Sequence, residues 1–536
     1  MKRMIALALI LASMICLLPS CAPASEPKSS QSAGGDVTDP GQSGTETKKV
    51  LNIGLNSNIV GLDPLNVNSN SSRAYVYAVF EPLIEYDHQG LASNFVPCLA
   101  TEWSVDETGC VWTFKLRENV QFHNGEAFTS ADVVSTYQRM LDEKSLQLRS
   151  AFWSYLASVK AIDDFTVEIA TSEPYAAALI SVAMTPILPD EACAQYGEDF
   201  WNNQMLYGTG PWKFEEWVDG AYLHMVKNTE YWNKEYNPKV EEIYFRFLTE
   251  VSTAIAAHIS GDLDAYIVNG GIDRELLSMY DGYKNIELIT KETQNVIYLG
   301  FNHSDDSAFA DKKVRQAVDY AIDRELICST IYNGDAKVSS SIILPSMPGY
   351  DESIPAYEYD PDKAAQLLKE STYDGHAITL YTSNSLSKGK DQCLAIAEML
   401  NNVGFNVNVE VMESAAFTEL RRNANYEFFL MNDQPMGGDL AKYFSMKILT
   451  DAHKHEYKND ELMDLSAKIL TELDVPTRQK YLVEAAKLMR AEAAPHTILY
   501  YLVQTQAVNY GVVNLEMYYD TCYSVKYVDY DASLEK

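Results

Sequence analysis

Apolar and polar positions along this chain follow two periods. Val111-Trp-Thr-Phe-Lys-Leu116 and Phe165-Thr-Val-Glu-Ile169 alternate with period two, the pattern of half-buried strands. Leu51-Asn-Ile-Gly-Leu55 predicts an opening strand. Helical spacing follows Thr129-Ser-Ala-Asp132, a capping-box start that leads into Val133, Tyr137, Met140 and Leu141 on one face. Asp311 predicts the cap of a helix carrying Val314, Ala317, Val318, Ala321 and Ile322. Asp323 caps the next, which stops at Asn333-Gly334. Between 378 and 411 a strand (Ile378–Tyr381) leads to a helix (Asp391–Asn402), a stop at Gly404, and a second strand through Phe405, Val407, Val409 and Val411. Strand, crossover helix and strand imply parallel pairing with a right-handed crossover. The fold class is α/β with some antiparallel hairpins.

A length of 536 residues calls for several domains, and 47% hydrophobic with 22% charged residues is a globular composition. The formal charge of −33 excludes nucleic acid and docking on anionic lipid through a basic patch. Lys2 and Arg3 precede an apolar run from Met4 to Leu18, too short to span a bilayer but matched to a signal-peptide core. The run ends in Leu18-Pro19-Ser20-Cys21, which resembles the bacterial lipobox, with Cys21 the residue to be lipidated. Ala22–Lys49, rich in Ser, Gly, Pro and Thr, predicts a flexible tether. The expected location is therefore extracytoplasmic, lipid-anchored to the outer face of the cell membrane. Of the six remaining cysteines no pair has a CxxC spacing, so neither zinc nor a disulfide framework is signalled. A hairpin turning at Asp106–Gly109 would place Cys110 opposite Val105, far from Cys98.

Catalytic patterns are weak. Ser385-Leu-Ser-Lys388 matches SxxK of penicillin-recognising hydrolases, without its SDN and KTG companions. His453-Lys-His455-Glu456 lacks the HExxH form and reads as solvated surface. Gly208-Thr-Gly-Pro211 is no dinucleotide fingerprint, since proline follows and no third glycine opens a helix. No P-loop or GxSxG is present. The expectation is no enzyme, no cofactor and no metal.

Several stretches together resemble the bacterial extracellular solute-binding proteins of family 5, the oligopeptide- and dipeptide-binding components of ABC importers. These are Gly61-Leu-Asp-Pro64, Glu81-Pro-Leu-Ile-Glu-Tyr86, Leu99-Ala-Thr-Glu-Trp103, Trp112 through Gly125, Gly208-Thr-Gly-Pro-Trp212, Lys227-Asn-Thr-Glu-Tyr-Trp232, Gly300-Phe-Asn302 and Val314 through Arg324. Pro348-Gly-Tyr350 and Tyr359 through Ala364 follow in the same order.

The resemblance implies a periplasmic-binding-protein-like (type II) fold: three domains in two lobes, with a hinge and an interlobe ligand cleft. Domain I would comprise residues 50–82, 206–295 and 498–536, domain II 83–205 and domain III 296–497, after a signal peptide (1–20) and a lipidated tether (21–49). His123 reads as a hydrogen-bonded turn or core residue, and Gly208 and Gly210 as tight backbone between domains. Asn68, Ser69 and Asn70 would line the domain I side of the cleft, and Asn432, Asp433, Met436, Gly437 and Asp439 the domain III side. The family often shows Trp-x-x-Asp-x-x-Asp-Pro in the latter segment. This chain lacks that tryptophan and proline, and Met436 stands where the amino-binding aspartate would. The implied partners are a peptide or other small solute and an ABC permease with a cytoplasmic ATPase, the protein being a monomer. A glycoside or nickel chelate as ligand, a surface hydrolase and a sensor lipoprotein are the alternatives.

Overall fold

The strand Val50–Leu55 buries Leu51, Ile53 and Leu55 and pairs in parallel on both sides, with Glu242–Phe247 and with Ala265–Ile267. A computed structural model describes residues 49–67, 69–86, 94–197, 199–356, 358–435, 438–451, 455–518 and 521–535. The expected signal peptide, Cys21 and nearly all of the tether lie outside them, as do Asn68, Met436 and Gly437. Among the described residues no helix is long and apolar enough to cross a membrane.

One eleven-stranded sheet dominates. Its first half holds Val50–Leu55 with its two parallel neighbours, then the antiparallel strands Tyr222–Lys227 and Trp212–Val218. Its second half contains the expected βαβ unit, with Ile378–Ser383 paired in parallel to Val407–Met412 across the helix Gly389–Asn402. That helix begins two residues earlier than its apolar spacing indicates, because Lys388 turns the chain in the left-handed region at φ 54°.

Two long antiparallel strands, Ile286–Phe301 and His496–Asn509, run through both halves. Alternation along the first serves two cores. Ile297, Leu299 and Phe301 face one side of the second half, while Val296 and Tyr298 face the other. Between Glu292 and Val296 the register slips: Thr293, Gln294 and Asn295 stand opposite Leu502 alone. Such a bulge breaks the ladder and bends the strand. Ile498–Leu502 pack in the cores of the second half, and Ala507 and Val508 in those of the first. This strand is buried along nearly its whole length, so its sequence carries no break where it changes cores.

The inserted unit is a four-stranded antiparallel sheet in the order Ala100–Val105, Val111–Leu116, Thr166–Thr171, Leu156–Asp163. Trp112, Phe114 and Leu116 are buried on one face, and the helix Ser130–Asp142 carries the Thr129/Asp132 capping box. The first hairpin turns over two more residues than expected. Trp112, not Cys110, stands opposite Val105, because Asp106 accepts from the Cys110 and Val111 amides and holds Cys110 within the turn. No disulfide joins the six described cysteines.

Candidate ligand-binding cleft

Ser69 caps the helix Asn70–Val79, its Oγ accepting from the Ser72 amide at 3.2 Å. The cap fixes Asn70 in the first turn, where its Nδ2 donates to the Thr521 hydroxyl at 2.8 Å. Gln434 Nε2 donates to the same hydroxyl at 2.6 Å from the end of the strand Phe428–Asp433. The two segments expected to face each other across the cleft thus meet at Thr521. Its position in the C-terminal segment gave no local signal in the sequence. A small cavity beside it is lined by Lys291, Thr293, Gln504, Gln506, Tyr518 and Thr521, the bulge contributing Thr293.

On the opposing wall Asn432 donates from Nδ2 to Asn295 Oδ1 at 3.0 Å, tying the wall to the bulge. Asp433 is paired with the buried Lys447 at 3.0 Å, and Lys447 donates to the Tyr298 hydroxyl at 2.7 Å. Asp439 is committed to structure. Arg478 donates to both of its oxygens, at 2.8 Å to Oδ1, and the Ala441 amide donates to Oδ1 at 2.6 Å. Burial pushes the Asp439 carboxyl up, but the Arg478 guanidinium outweighs it and holds it below the usual range. Asp439 therefore fixes the loop beside the cleft and has no open oxygen for a ligand.

The signature stretches converge elsewhere, on the fully buried Glu81. Its carboxylate accepts from Thr209 at 2.9 Å, Tyr231 at 2.8 Å and Trp232 at 2.7 Å, and pairs with Lys526 at 2.6 Å. Glu81, Glu85 and Cys98 are spaced as metal ligands would be, but the Lys526 ammonium lies between them, pairing with Glu85 as well and standing 3.7 Å from Cys98 Sγ. Gly208 and Gly210 are required by contact and not by dihedral angle. A Cβ on either would lie 1.9 Å or 2.4 Å from the carbonyl oxygen of Val79 or Ala78. His123 clasps this stretch, Nδ1 accepting from the Gly208 amide and Nε2 donating to the Gly210 carbonyl at 2.9 Å. It is the hydrogen-bonded histidine expected.

Two motifs have other surroundings than their patterns suggested. Lys388 Nζ donates to the Ile331 carbonyl and pairs with Asp273 at 3.4 Å, while Ser385 bonds Ser383, so no serine–lysine dyad forms. His455 is fully buried, not solvated as the charged His-Lys-His-Glu run implied. Its Nδ1 donates to the Phe301 carbonyl at 3.0 Å and its Nε2 meets His496 Nε2 at 2.8 Å, with the Tyr443 hydroxyl on His496 Nδ1 at 2.6 Å. Short-range charge gave no hint that tertiary packing would close over it.

These histidines give an acid limb to stability. Burial pushes His123 and His258 down to about 4, His455 to about 3 and His303 well below its usual value. The unfolded chain, with histidines near 6.5, binds these four protons first as pH falls, so stability is present above 6.5 and is lost below it. Asp132 and Asp319, pushed up by burial to about 7 and about 6, work in the opposite sense. For these six groups alone the net is about two protons by pH 5, or about 2.7 kcal/mol per pH unit at that end. Urea midpoints measured at pH 7, 6 and 5 should fall; a flat or rising series would contradict this assignment.

Two sheet halves joined by a pair of continuous strands, with polar walls meeting over the bulge, define a two-lobe α/β binding protein. The family model for bacterial extracellular solute-binding proteins, family 5 (middle region), matches residues 94–452. This chain belongs to that family. It is 28% identical over 426 residues to the oligopeptide-binding protein AppA of Bacillus subtilis, covering 73% of this chain and 76% of that one. The fold is similar to that of NikA from Brucella suis solved with Fe(III)-EDTA (TM-score 0.79, 20% identity, 90% of this chain and 100% of that one). It is similar too to DppA from Helicobacter pylori solved with the peptide STSA (TM-score 0.73, 23% identity, 92% and 99%). The type II two-lobe architecture expected from the sequence is the one observed.

Proposed function

We propose that this protein is the non-catalytic receptor of an ABC importer, tethered outside the cytoplasm through a lipidated Cys21. It captures a short peptide between its lobes and presents it to a membrane permease driven by a cytoplasmic ATPase. The observation that carries this reading is the meeting of Asn70 and Gln434 on Thr521 directly above the bulge in the long strands. Rotation at the bulge opens or closes that junction, and a ligand that binds the closed form better shifts the population towards it. Asn68, Ser69, Asn70, Asn432, Asp433, Met436 and Gly437 line the cleft in this reading, with Asp439 positioning the loop. The similarity to AppA supports peptide as the cargo.

A second reading, a non-peptide solute such as a metal chelate or glycoside, is favoured by the pairing of Asp433 with Lys447, which occupies the nearest carboxylate for a ligand amino group. Native mass spectrometry of protein purified from rich medium separates them. Short peptides are expected as retained cargo; a sugar or chelate with no peptide would overturn the peptide reading. Removal of the lipid-modified terminus by Cys21→Ala should move the protein from the membrane fraction to the medium or periplasm.

A further inference from the structure

The inserted four-stranded unit touches the second half of the molecule outside the segments that meet at Thr521. Its strand Thr166–Thr171 runs into a turn at 172–177, where the Ala176 amide donates to the carbonyl of Leu470 at 2.7 Å. Leu470 ends the buried face of the helix Asp460–Thr471. Leu473, half-buried in the short link to the helix Val475–Glu492, packs against the core of the inserted unit and the first half. Its neighbour there is a glycine: a Cβ on Gly109 would lie 3.0 Å from Leu473 Cδ1 and 3.3 Å from Pro174 Cβ. Ala441, buried just beyond Asp439, belongs to the same core. Tyr155 packs against this core and against that of the second half, its ring 4.8 Å from that of the buried Tyr175.

Both sides of this contact are anchored. Arg478, besides pairing with Asp439, donates from Nε to the Ile469 carbonyl at 2.7 Å, so the helix end that accepts from Ala176 is tied to the cleft wall. On the other side one continuous core joins the inserted unit to the strands of the first half. Rotation at the bulge carries the two halves as bodies. A hydrogen bond of 2.7 Å has no slack, so opening breaks the contact.

We infer that the docking of Ala176, Pro174 and Gly109 on Leu470 and Leu473 is a latch that supplies part of the free energy of lobe closure, whatever cargo is held. The inference rests on the receptor reading, since closure is the motion it biases. A contact made in one of two states shifts the population towards that state by its own free energy. Opening returns Leu473 and Pro174 to water, which disfavours the open form. Apparent affinity scales with the binding-competent fraction. The latch therefore strengthens binding of every cargo by the same factor and adds nothing to selectivity.

Hydrogen exchange and X-ray scattering test this on the full chain, refolded from urea to release any cargo. The parent's Ala176 amide should be protected. Leu473→Ser should speed its exchange about tenfold or more and enlarge the radius of gyration. The Ser130 amide, bonded to Asp164 inside the inserted unit, and the Asn302 amide, bonded to Glu427 inside the second half, should keep their parental rates. Leu473→Met retains an apolar side chain of similar volume and should behave as the parent. Calorimetry with tetra-alanine then separates a latch from a ligand contact, since affinity should fall only as far as the closed fraction falls. Weaker binding with unchanged Ala176 exchange would make Leu473 a ligand contact and overturn the latch. So would an unprotected Ala176 amide in the parent, or a Leu473→Ser variant with parental exchange. Faster exchange at an unchanged radius would mean that the turn frays locally, and would overturn it too. Failure of tetra-alanine to bind the parent would count against the peptide reading alone, because exchange and scattering decide the latch without it.

Discussion

Glu81→Ala should lower unfolding free energy by about 3–5 kcal/mol, the range for breaking a buried ion pair by removing one partner. The carboxylate is fully buried and Lys526 is 4% exposed, so no water can replace what is lost. Truncation strands the Thr209 and Tyr231 hydroxyls and the Trp232 indole N–H in the core, each an unsatisfied donor. Lys526 keeps Glu85 as its carboxylate partner. Because these partners come from positions 209, 231–232 and 526, the loss detaches three chain segments from one point. Glu81→Gln retains two acceptor sites and should fall between parent and Ala variant. Urea unfolding reads the effect, and an Ala variant within 1 kcal/mol of the parent would show that the hub is not stabilising.

Asp439→Ala should cost a similar amount, about 3–5 kcal/mol, by leaving Arg478 at 12% side-chain exposure without its carboxylate. Reading the segment by its resemblance alone makes Asp439 a ligand contact whose loss spares the fold. The bidentate geometry reverses that expectation, because both oxygens are already used within the protein. The paired variant Asp439→Leu with Arg478→Met should recover much of the stability, since apolar replacement of a buried pair is often neutral. Recovery in the pair together with a severe single variant is the signature of an uncompensated charge. A single variant with parental stability and lost ligand binding would restore Asp439 to the ligand site.

The difference between these two aspartates shows where local pattern stops. Asp433 and Asp439 sit in the same polar segment, six residues apart, and nothing adjacent distinguishes them. Their partners Lys447 and Arg478 come from later helical segments, so the role of each depends on packing between elements. His455 shows the converse: a charged run implied exposure, while the Phe301 carbonyl and His496 enclose it.

The sequence by itself determined the elements whose information is local. Period-two alternation specified Val111–Leu116, a capping box placed the helix starting at Ser130, and Asp311 and Asp323 marked helix starts with their own side chains. It also specified the βαβ unit, because helix length and glycine stop are read within one short window. The order of many short motifs along the chain identified the family. Only the tertiary structure decided that Glu81 gathers those motifs, that the return strand changes cores beyond Leu502, and that Thr521 joins Asn70 to Gln434. Each of these rests on groups hundreds of residues apart meeting at hydrogen-bond distance. A periodicity within one window cannot encode such meetings; they arise when the sheet halves and the C-terminal segment pack together.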